Sequence, residues 1–497
     1  MLPSLARLNI NTIFGIYMPN ANNTQRHKQS YARTLSIVLL VMSALLAQPM
    51  LAAGEDNKAA SSLAKPATQT QFLPLSDYIA VLGDDETKAL AALSRIKKFA
   101  DGASTAMLIE MVYQVPNRKA LEKLIGIIEL KTGRPFNGDV NALYEWLWST
   151  DRPVHPDYAE FKKLLYSPID ARFSEYFSNK PKTLIRLDEV RWGGVVRDGI
   201  PPLKTPKMIA AKDATWLEDD NVVFGVAING DVRAYPKRIL AWHEMFKDKI
   251  GGLELAGVYC TLCGALVLYD TTIDGTHYEL GTSGFLYRSN KLMYDHATKS
   301  MWSTLDGSPV IGELVGKKIK LKSLFVVTTT WKEWRTRHPK TTVLSLETGH
   351  TRDYDEGVAY RNYFATDKLM FNVPKTDNRL ANKAEVLALR PQEVTDEHLA
   401  ISADFLTKNP VYQTRMGNVN MLVLTDASGA NRVYESKTIA FSSWDKTSNL
   451  LDKAGKKWRV GEAELTGPKG EVLKRVSAHR AFWFGWYSAF PNTKLIK

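Results

Sequence analysis

Cysteine is nearly missing from this 497-residue chain: Cys260 and Cys263 are its only two. That scarcity excludes a framework of several disulfides and a zinc site built from two cysteine pairs. Long apolar runs are scarce too. After the first 53 residues no stretch is long and apolar enough to cross a bilayer, which takes about 20 residues. There is no Gly-x-Ser-x-Gly, His-Glu-x-x-His, Walker loop or dinucleotide fingerprint, and no Ser/His/Asp constellation that spacing alone supports. The formal charge is +12, but lysines and arginines are scattered among acids instead of gathered on one face. No nucleic-acid partner is expected, and the basic balance reads as solubility.

Acids are absent before Glu55, while Arg26, Lys28 and Arg33 precede an apolar run from Leu35 to Leu46 and the segment Leu51-Ala52-Ala53. A positive flank, a run of roughly 12 residues and a small final residue make a secretory signal over 1–53. The protein is thus expected to be exported, and periplasmic; an uncleaved N-terminal membrane anchor is the alternative. Translation starts at Met1 or Met18. Of the +12, four charges (Arg7, Arg26, Lys28, Arg33) leave with the signal, so about +8 remains. With 44% hydrophobic residues and twelve tryptophans the chain can bury large cores in two or three domains.

Residues 54–74 are small and polar and read as a flexible linker. From 75 to 180 the apolar residues recur at helical spacing, as in Leu90, Leu93, Ile96 and Phe99, and again in Leu121, Leu124, Ile125 and Ile128. Asn117 is placed to cap a helix that Gly133-Arg-Pro135 ends. These stacked helices predict a HEAT-like domain, a scaffold or surface for a protein partner. From Thr183 the pattern changes to short strands with Gly, Asp and Asn turns. Val222–Ile228, Asn229-Gly230 and Asp231–Tyr235 form a strong hairpin signal. The fold class is therefore α+β: an N-terminal α-helical domain followed by a β-rich domain over 183–497.

That β-rich domain carries a degenerate internal repeat, hence two lobes, the first over 183–348 and the second over about 410–497. Gly230-x-x-Arg233-x-Tyr235 matches Gly429-x-x-Arg432-x-Tyr434. Trp331-x-x-Trp334-x4-Pro339-x-Thr341 matches Trp483-x-x-Trp486-x4-Pro491-x-Thr493. Gly230 to Trp331 spans 101 positions and Gly429 to Trp483 spans 54. The excess in the first interval includes Trp242-His243-Glu244, the cysteines and Tyr287-Arg-Ser-Asn290. The scaffold would then stand without them, which marks the excess as functional. The Trp-x-x-Trp pieces, occurring twice, read as core.

Ala234-Tyr-Pro-Lys-Arg-Ile-Leu-Ala-Trp-His-Glu244, Tyr259-Cys-Thr-Leu-Cys-Gly264, Ser283-Gly-Phe-Leu-Tyr-Arg-Ser-Asn290, Met293-Tyr-Asp295 and Thr330-Trp331 through Leu344 together resemble the DUF3179 family, a domain of unknown function, over roughly residues 185–497. The family usually has Pro where this chain has Thr261. The resemblance implies a bacterial or archaeal, often exported protein, and brings no established activity.

Cys-x-x-Cys-Gly between two strands resembles the metal-binding knuckle of rubredoxins and zinc ribbons, where glycine permits the turn that gathers both sulfurs. Thioredoxin-like motifs instead put the first cysteine at a helix N-terminus; the apolar, partly β-branched flanks here argue against that helix. The preferred expectation is a transition-metal site for copper or zinc, held by Cys260 and Cys263 with His243 as third ligand and Glu244 as a further ligand or partner of the imidazole. His296, Met293 and His277 are lesser candidates. Two alternatives use the same cysteines: a thiol–disulfide oxidoreductase, and a non-catalytic binding module in which a structural disulfide staples the turn. Asp198-Gly-Ile-Pro-Pro202 reads as a rigid turn. No catalytic residue is assigned.

Overall fold

In the computed structural model, which describes residues 72–150, 152–390 and 397–497, the helical periodicity of the N-terminal part is realised in seven helices: α1 Leu75–Val81, α2 Glu86–Phe99, α3 Thr105–Met111, α4 Arg118–Thr132, α5 Val140–Trp148, α6 Tyr158–Tyr166 and α7 Ser174–Phe177. The signal expected over 1–53, and most of the linker, lie outside the described residues. Asn117 caps α4 by accepting Ala120 N–H at 3.0 Å, and Gly133 ends it with a left-handed φ of 69°. α2 and α4 run in the same direction: Asn117 Nδ2 donates to Glu86 at their N-terminal ends and Lys131 Nζ to the Ala100 carbonyl at their C-terminal ends.

The chain then alternates through β1 Val190–Trp192, β2 Leu203–Lys204, β3 Met208–Ala210, β4 Val222–Ile228, β5 Asp231–Pro236, α8 Lys237–His243, β6 Met245–Ile250, β7 Leu253–Cys260 and β8 Ala265–Asp270. It continues through β9 Thr272–Ile273, β10 Thr276–His277, β11 Leu280–Tyr287, β12 Asn290–Asp295, β13 Met301–Ser303, β14 Pro309–Ile311, β15 Lys322–Leu324, β16 Val327–Thr330, α9 Trp331–Arg337 and β17 Thr342–Leu344. An irregular segment holding only α10 Arg361–Phe364 leads to a second series. That series comprises β18 Glu385–Leu389, β19 Leu399–Ser402, α11 Ala403–Lys408, β20 Val411–Met416, β21 Val419–Thr425, β22 Asn431–Glu435, β23 Phe441–Trp444, β24 Asn449–Asp452, β25 Lys457–Val460, β26 Glu464–Thr466, β27 Val472–Lys474, β28 Ala478–Phe482, α12 Trp483–Ala489 and β29 Lys494–Ile496.

The helices do not stand apart from the strands. Their buried side chains form one core with Val190, Phe285, Leu292, Tyr294, Met301, Val310 and Ile311 of the β1-β11-β12-β13-β14 sheet. Buried Glu110 accepts from Tyr158, Tyr166 and Lys162, and Lys162 Nζ also donates to Val190 O at 2.7 Å, tying α6 to β1. Residues 72–497 accordingly make one compact unit. The helices thus share one buried core with this sheet.

Strand order runs alike in the two series. The sheet β16-β4-β5-β17-β3 has its counterpart in β28-β18-β19-β29. In each, the strand before the Trp-x-x-Trp helix lies antiparallel to the first hairpin strand, and the strand after it lies parallel to the second. Trp334 Nε1 donates to Thr341 Oγ1 at 3.0 Å, and Trp486 Nε1 to Thr493 Oγ1 at 2.9 Å, so the repeated tryptophan motif is core, as read. A further agreement emerges in the meanders: Trp302 Nε1 bonds Asp295 and Trp458 Nε1 bonds Asp452, both at 3.1 Å.

The Gly-x-x-Arg-x-Tyr match, in contrast, joins places that do not correspond. Gly230 turns β4 into β5, but Gly429 lies between β21 and β22, in the order position of the β7–β8 loop that carries the cysteines. What the two share is turn chemistry, a glycine with φ of 85° or 83° opening an alternating strand. The hairpin in the place of β4–β5 within its own sheet is β18–β19.

Glu462 welds the series together. Its buried carboxylate takes Arg432 at 2.8 Å, Arg475 at 3.1 Å and, from the end of α9, His338 at 3.3 Å. Burial alone would raise its pKa, but Arg432, His338 and Arg475 outweigh it and hold the carboxyl well below the usual range. A depressed carboxyl stabilises fully above its unfolded value, about pH 4.3, and loses that contribution as pH falls toward the folded value. Glu462→Gln, which leaves buried Arg475 without a carboxylate partner and Arg432 with Asp426 alone, is expected to lose about 3 kcal/mol near neutrality. Urea unfolding at pH 7 and pH 3.5 checks this: the gap between wild type and variant should narrow at the lower pH.

Candidate functional site

β7 delivers Cys260 at its last position and β8 resumes at Ala265, the residue paired with Cys260. The tight turn between them is closed by Cys263 N–H to Cys260 O at 3.1 Å and Gly264 N–H to Thr261 O at 3.3 Å. This is the strand–turn–strand setting read from the flanks, with no helix beginning at either cysteine. It brings the Cα atoms to 5.3 Å, and the sulfurs are bonded to each other as a disulfide.

The disulfide is sealed, with Cys260 1% and Cys263 0% exposed. Elements from both series cover it. Phe482 N–H donates to Cys263 O at 2.7 Å, and a Cβ at Gly485 would lie 3.0 Å from Cys263 Cβ, so a larger residue there would press on the cysteine turn. Tyr363, from α10, donates its hydroxyl to Leu262 O at 2.7 Å, inside the Cys-x-x-Cys turn. On the β11–β12 side, Ser289 O stands 3.6 Å from Cys263 Sγ. Asn290 donates through Nδ2 to Gly485 O at 3.1 Å, while its buried Oδ1, like the buried Thr261 Oγ1, has no hydrogen-bond partner.

His243 and Glu244 end α8. His243 is fully buried. The Pro201 carbonyl at 2.9 Å requires a hydrogen on Nδ1, which leaves Nε2 to accept from the Tyr354 hydroxyl at 2.5 Å. Thr348 in turn donates to Tyr354 Oη at 2.6 Å. Both imidazole nitrogens are therefore engaged away from the sulfurs. Glu244, left-handed at φ 54°, closes the helix. Its carbonyl accepts Tyr259 N–H at 2.9 Å and Lys291 Nζ at 3.0 Å. Its carboxylate meets Lys291 at 3.3 Å and Tyr360 Oη at 3.2 Å. Burial lowers the Lys291 ammonium's pKa and Glu244 opposes that shift.

Of the four residues expected to share a metal, the structure joins the cysteines to each other and sets the Glu244 backbone beside the strand leading to Cys260. In this oxidised form the sulfurs carry no thiolate, and among the described residues no group of three or more His, Cys, Asp or Glu is disposed to hold an ion. Met293 is buried in β12 opposite Trp302; His296 stacks on Tyr294 at 4.9 Å; His277 lies exposed in β10. Asp198 does serve as a turn: it accepts Thr282 N–H at 3.0 Å and Tyr294 Oη at 2.6 Å.

Lys291 and the tyrosines at 354, 360 and 363 were not singled out from the sequence. A lone lysine inside the apolar strand Asn290-Lys-Leu-Met-Tyr was the available signal, because a charge there needs a buried partner. The tyrosines sit in a segment without strand or helix periodicity and gave none.

The chain matches the family described as Protein of unknown function (DUF3179) over residues 197–493, well over half its length, and belongs to that family. No curated protein and no solved structure matches it.

Burial, with smaller contributions from His350 and Arg352 and against the Pro201 bond, lowers the His243 pKa to about 4. The folded value lies below the unfolded one, near 6.5, so the unfolded chain takes up the proton first. Stability tied to His243 is complete above pH 6.5, declines as pH falls, and is spent by about pH 4, a loss on the order of 3 kcal/mol. His243→Gln should flatten the stability profile between pH 7 and pH 4 by about that amount, as read by urea unfolding across the range.

Proposed function

We propose that this DUF3179 protein is an exported thiol–disulfide redox protein whose couple is Cys260 and Cys263. The observation that carries the reading is the Ser289 carbonyl, buried 3.6 Å from Cys263 Sγ with that sulfur as its polar neighbour. A disulfide sulfur has no hydrogen to give, so this acceptor goes unused in the oxidised form and is satisfied when Cys263 becomes a thiol. The unpartnered Asn290 Oδ1 and Thr261 Oγ1 lie in the same wall and turn. Reduction thus makes a hydrogen bond where oxidation leaves polar groups idle, an asymmetry suited to a reversible couple.

A purely structural staple is less well supported. Closing so short a loop contributes only about 2 kcal/mol in the chain-entropy account, and two backbone hydrogen bonds, Phe482 and Gly485 already fix the turn. The chemistry is P(S–S) + 2 R–SH → P(SH)2 + R–S–S–R, with a small thiol as reductant. Burial of both sulfurs means the attacking thiolate gains access only when the Tyr363 contact or the start of α12 shifts. The leader-like N-terminus suits this reading, because disulfides persist in oxidising compartments. The parallel α2 and α4 support the HEAT-like description of the helices, and the matching strand orders support descent of the two series from one duplicated unit.

Native protein equilibrated in glutathione buffers, then alkylated and weighed, should show two thiols appearing together and reversibly while the far-ultraviolet circular dichroism stays unchanged. Thiols that emerge only as the protein unfolds would overturn the redox reading in favour of a structural disulfide. Elemental analysis of the reduced sample reads the copper or zinc alternative directly: one ion per chain, lost in Cys260→Ser, would turn the proposal into a metal site at Cys260, Cys263, His243 and Glu244.

A further inference from the structure

We infer that the groove between residues 154–160 and the segment 180–187 binds an extended peptide of a partner protein, which pairs its main chain with Thr183. The inference stands apart from the redox reading. It gives a place to the protein partner expected of the helical part.

The groove has a volume of about 480 Å³, and Val154, Pro156, Ile185 and Leu187 supply apolar walls. Val154, Ile185 and Leu187 also pack on the core that the helices share with the β1-β11-β12-β13-β14 sheet. Thr183 lies beyond β14, the last strand of that sheet, and bridges Ile311. Leu184 N–H donates to Val310 O at 2.9 Å, and Gly312 N–H to Lys182 O at 2.9 Å. These two bonds flank Thr183 without using it. In an antiparallel ladder such a residue turns its own N–H and C=O to the opposite side. Neither group has a hydrogen-bond partner among the described residues. Thr183 is exposed and lines the groove.

The facing wall holds a second idle donor. Asp157 N–H donates to His155 Nδ1 at 3.1 Å, so the imidazole hydrogen sits on Nε2. Burial lowers the His155 pKa, against Asp157 and Asp101, and keeps the ring neutral near pH 7. His155 is 2% exposed, and its Nε2–H has no partner among the described residues. A buried donor left unmatched is costly, and a carbonyl brought into the groove would relieve it. The Phe72 ring packs edge-on against the imidazole at 4.6 Å and is 36% exposed, so part of what covers His155 is a surface side chain.

The charged groups along the groove already have partners. Asp157 faces Lys180 at 3.6 Å, Glu160 meets Lys163 at 2.8 Å, and Arg186 pairs with Asp188 at 2.7 Å. That pairing leaves little to select an anion or a cation. What stands free is one N–H and one C=O on a single residue, and a strand residue placed opposite exchanges both bonds with them. A second folded copy would need an open sheet edge, whereas Thr183 lies in a groove walled on its far side by residues 154–160. The occupant is one extended segment, with apolar side chains toward Val154 and Leu187 and a carbonyl for His155.

The test uses the full chain and a pentapeptide of alternating valine and threonine, labelled with fluorescein at one end, amidated at the other and followed by fluorescence anisotropy. Saturable binding of one peptide per chain is expected. N-methylation of every amide keeps the side chains but removes the donors, and should weaken binding about tenfold or more. Thr183→Pro removes an N–H that the fold leaves unpaired, so thermal unfolding should stay unchanged while the peptide binds about fivefold more weakly. His155→Asn keeps an acceptor for Asp157 N–H but lacks the Nε2 hydrogen, and should also weaken binding about fivefold. No binding to the wild type, equal binding of the methylated peptide, or an unchanged affinity in Thr183→Pro overturns the strand pairing. A concentration-dependent dimer in analytical ultracentrifugation, absent in Thr183→Pro, would put a second copy on this edge and overturn the peptide assignment.

Discussion

One backbone hydrogen bond organises the β-rich part of this protein: the amide of Phe482 gives its hydrogen to the carbonyl of Cys263. It lands the end of β28, in the second series, on the cysteine turn of the first. Three consequences follow from that contact. Gly485, in the first turn of α12, lies so close to Cys263 that an added Cβ would sit 3.0 Å from the Cys263 Cβ. Asn290 reaches across to Gly485 O and Ser488 Oγ, fastening the β11–β12 turn to the same helix. The disulfide, shared by these neighbours, ends up at the meeting point of both series, and any change in the turn is felt by segments more than 200 residues apart in sequence.

The buried ion clusters tell a related story. Glu110 with Lys162 joins α6 to β1, Glu244 with Lys291 joins the end of α8 to β12, and Glu462 with Arg432 and Arg475 receives His338 from the end of α9. Each lies at a join between elements distant in the chain, where hydrophobic packing alone tolerates sliding. Burying such groups costs desolvation that their mutual attraction only partly offsets, so they add little net stability. What they contribute is registration, since a carboxylate that must meet its cations at about 3 Å permits one arrangement of the join and penalises others.

Much of the architecture could be read from residue order, and the failures have identifiable causes. The helix ends at Asn117 and Gly133, the Asn229-Gly230 hairpin and the buried Trp-x-x-Trp pairs rest on local chemistry, and local chemistry is what a sequence displays; that those pairs sit on helices was not read. Gly230 and Gly429 misled for the same reason: the tight turns they open are local, whereas their place in the sheets depends on long-range pairing. The Asp295–Trp302 and Asp452–Trp458 bonds are a truer correspondence that differs by one residue in spacing, which hid it. At the site, the cysteines were conspicuous by rarity and the neighbouring His-Glu by composition, but which way His243 faces is decided by Pro201 and Tyr354, residues 42 and 111 positions away. No spacing argument reaches that far.

The irregular segment after β17 explains why the sulfurs are closed off. Its tyrosines engage three successive features of the first series: Tyr354 bonds His243, Tyr360 bonds Glu244, and Tyr363 bonds Leu262 between the cysteines. Hydroxyl bonds and the burial of the Tyr354, Tyr360 and Tyr363 rings together hold this cover in place, and Lys383 fastens it from behind through the carbonyls of Tyr363 and Thr366. A hydrogen bond of this kind is worth about 1 kcal/mol, and Tyr363 makes one to the turn where the β7–β8 ladder beneath it runs over six residue pairs. Access to the turn therefore depends on contacts other than the hairpin's own hydrogen bonds, the hydroxyl of Tyr363 and the start of α12 being the two that lie over it.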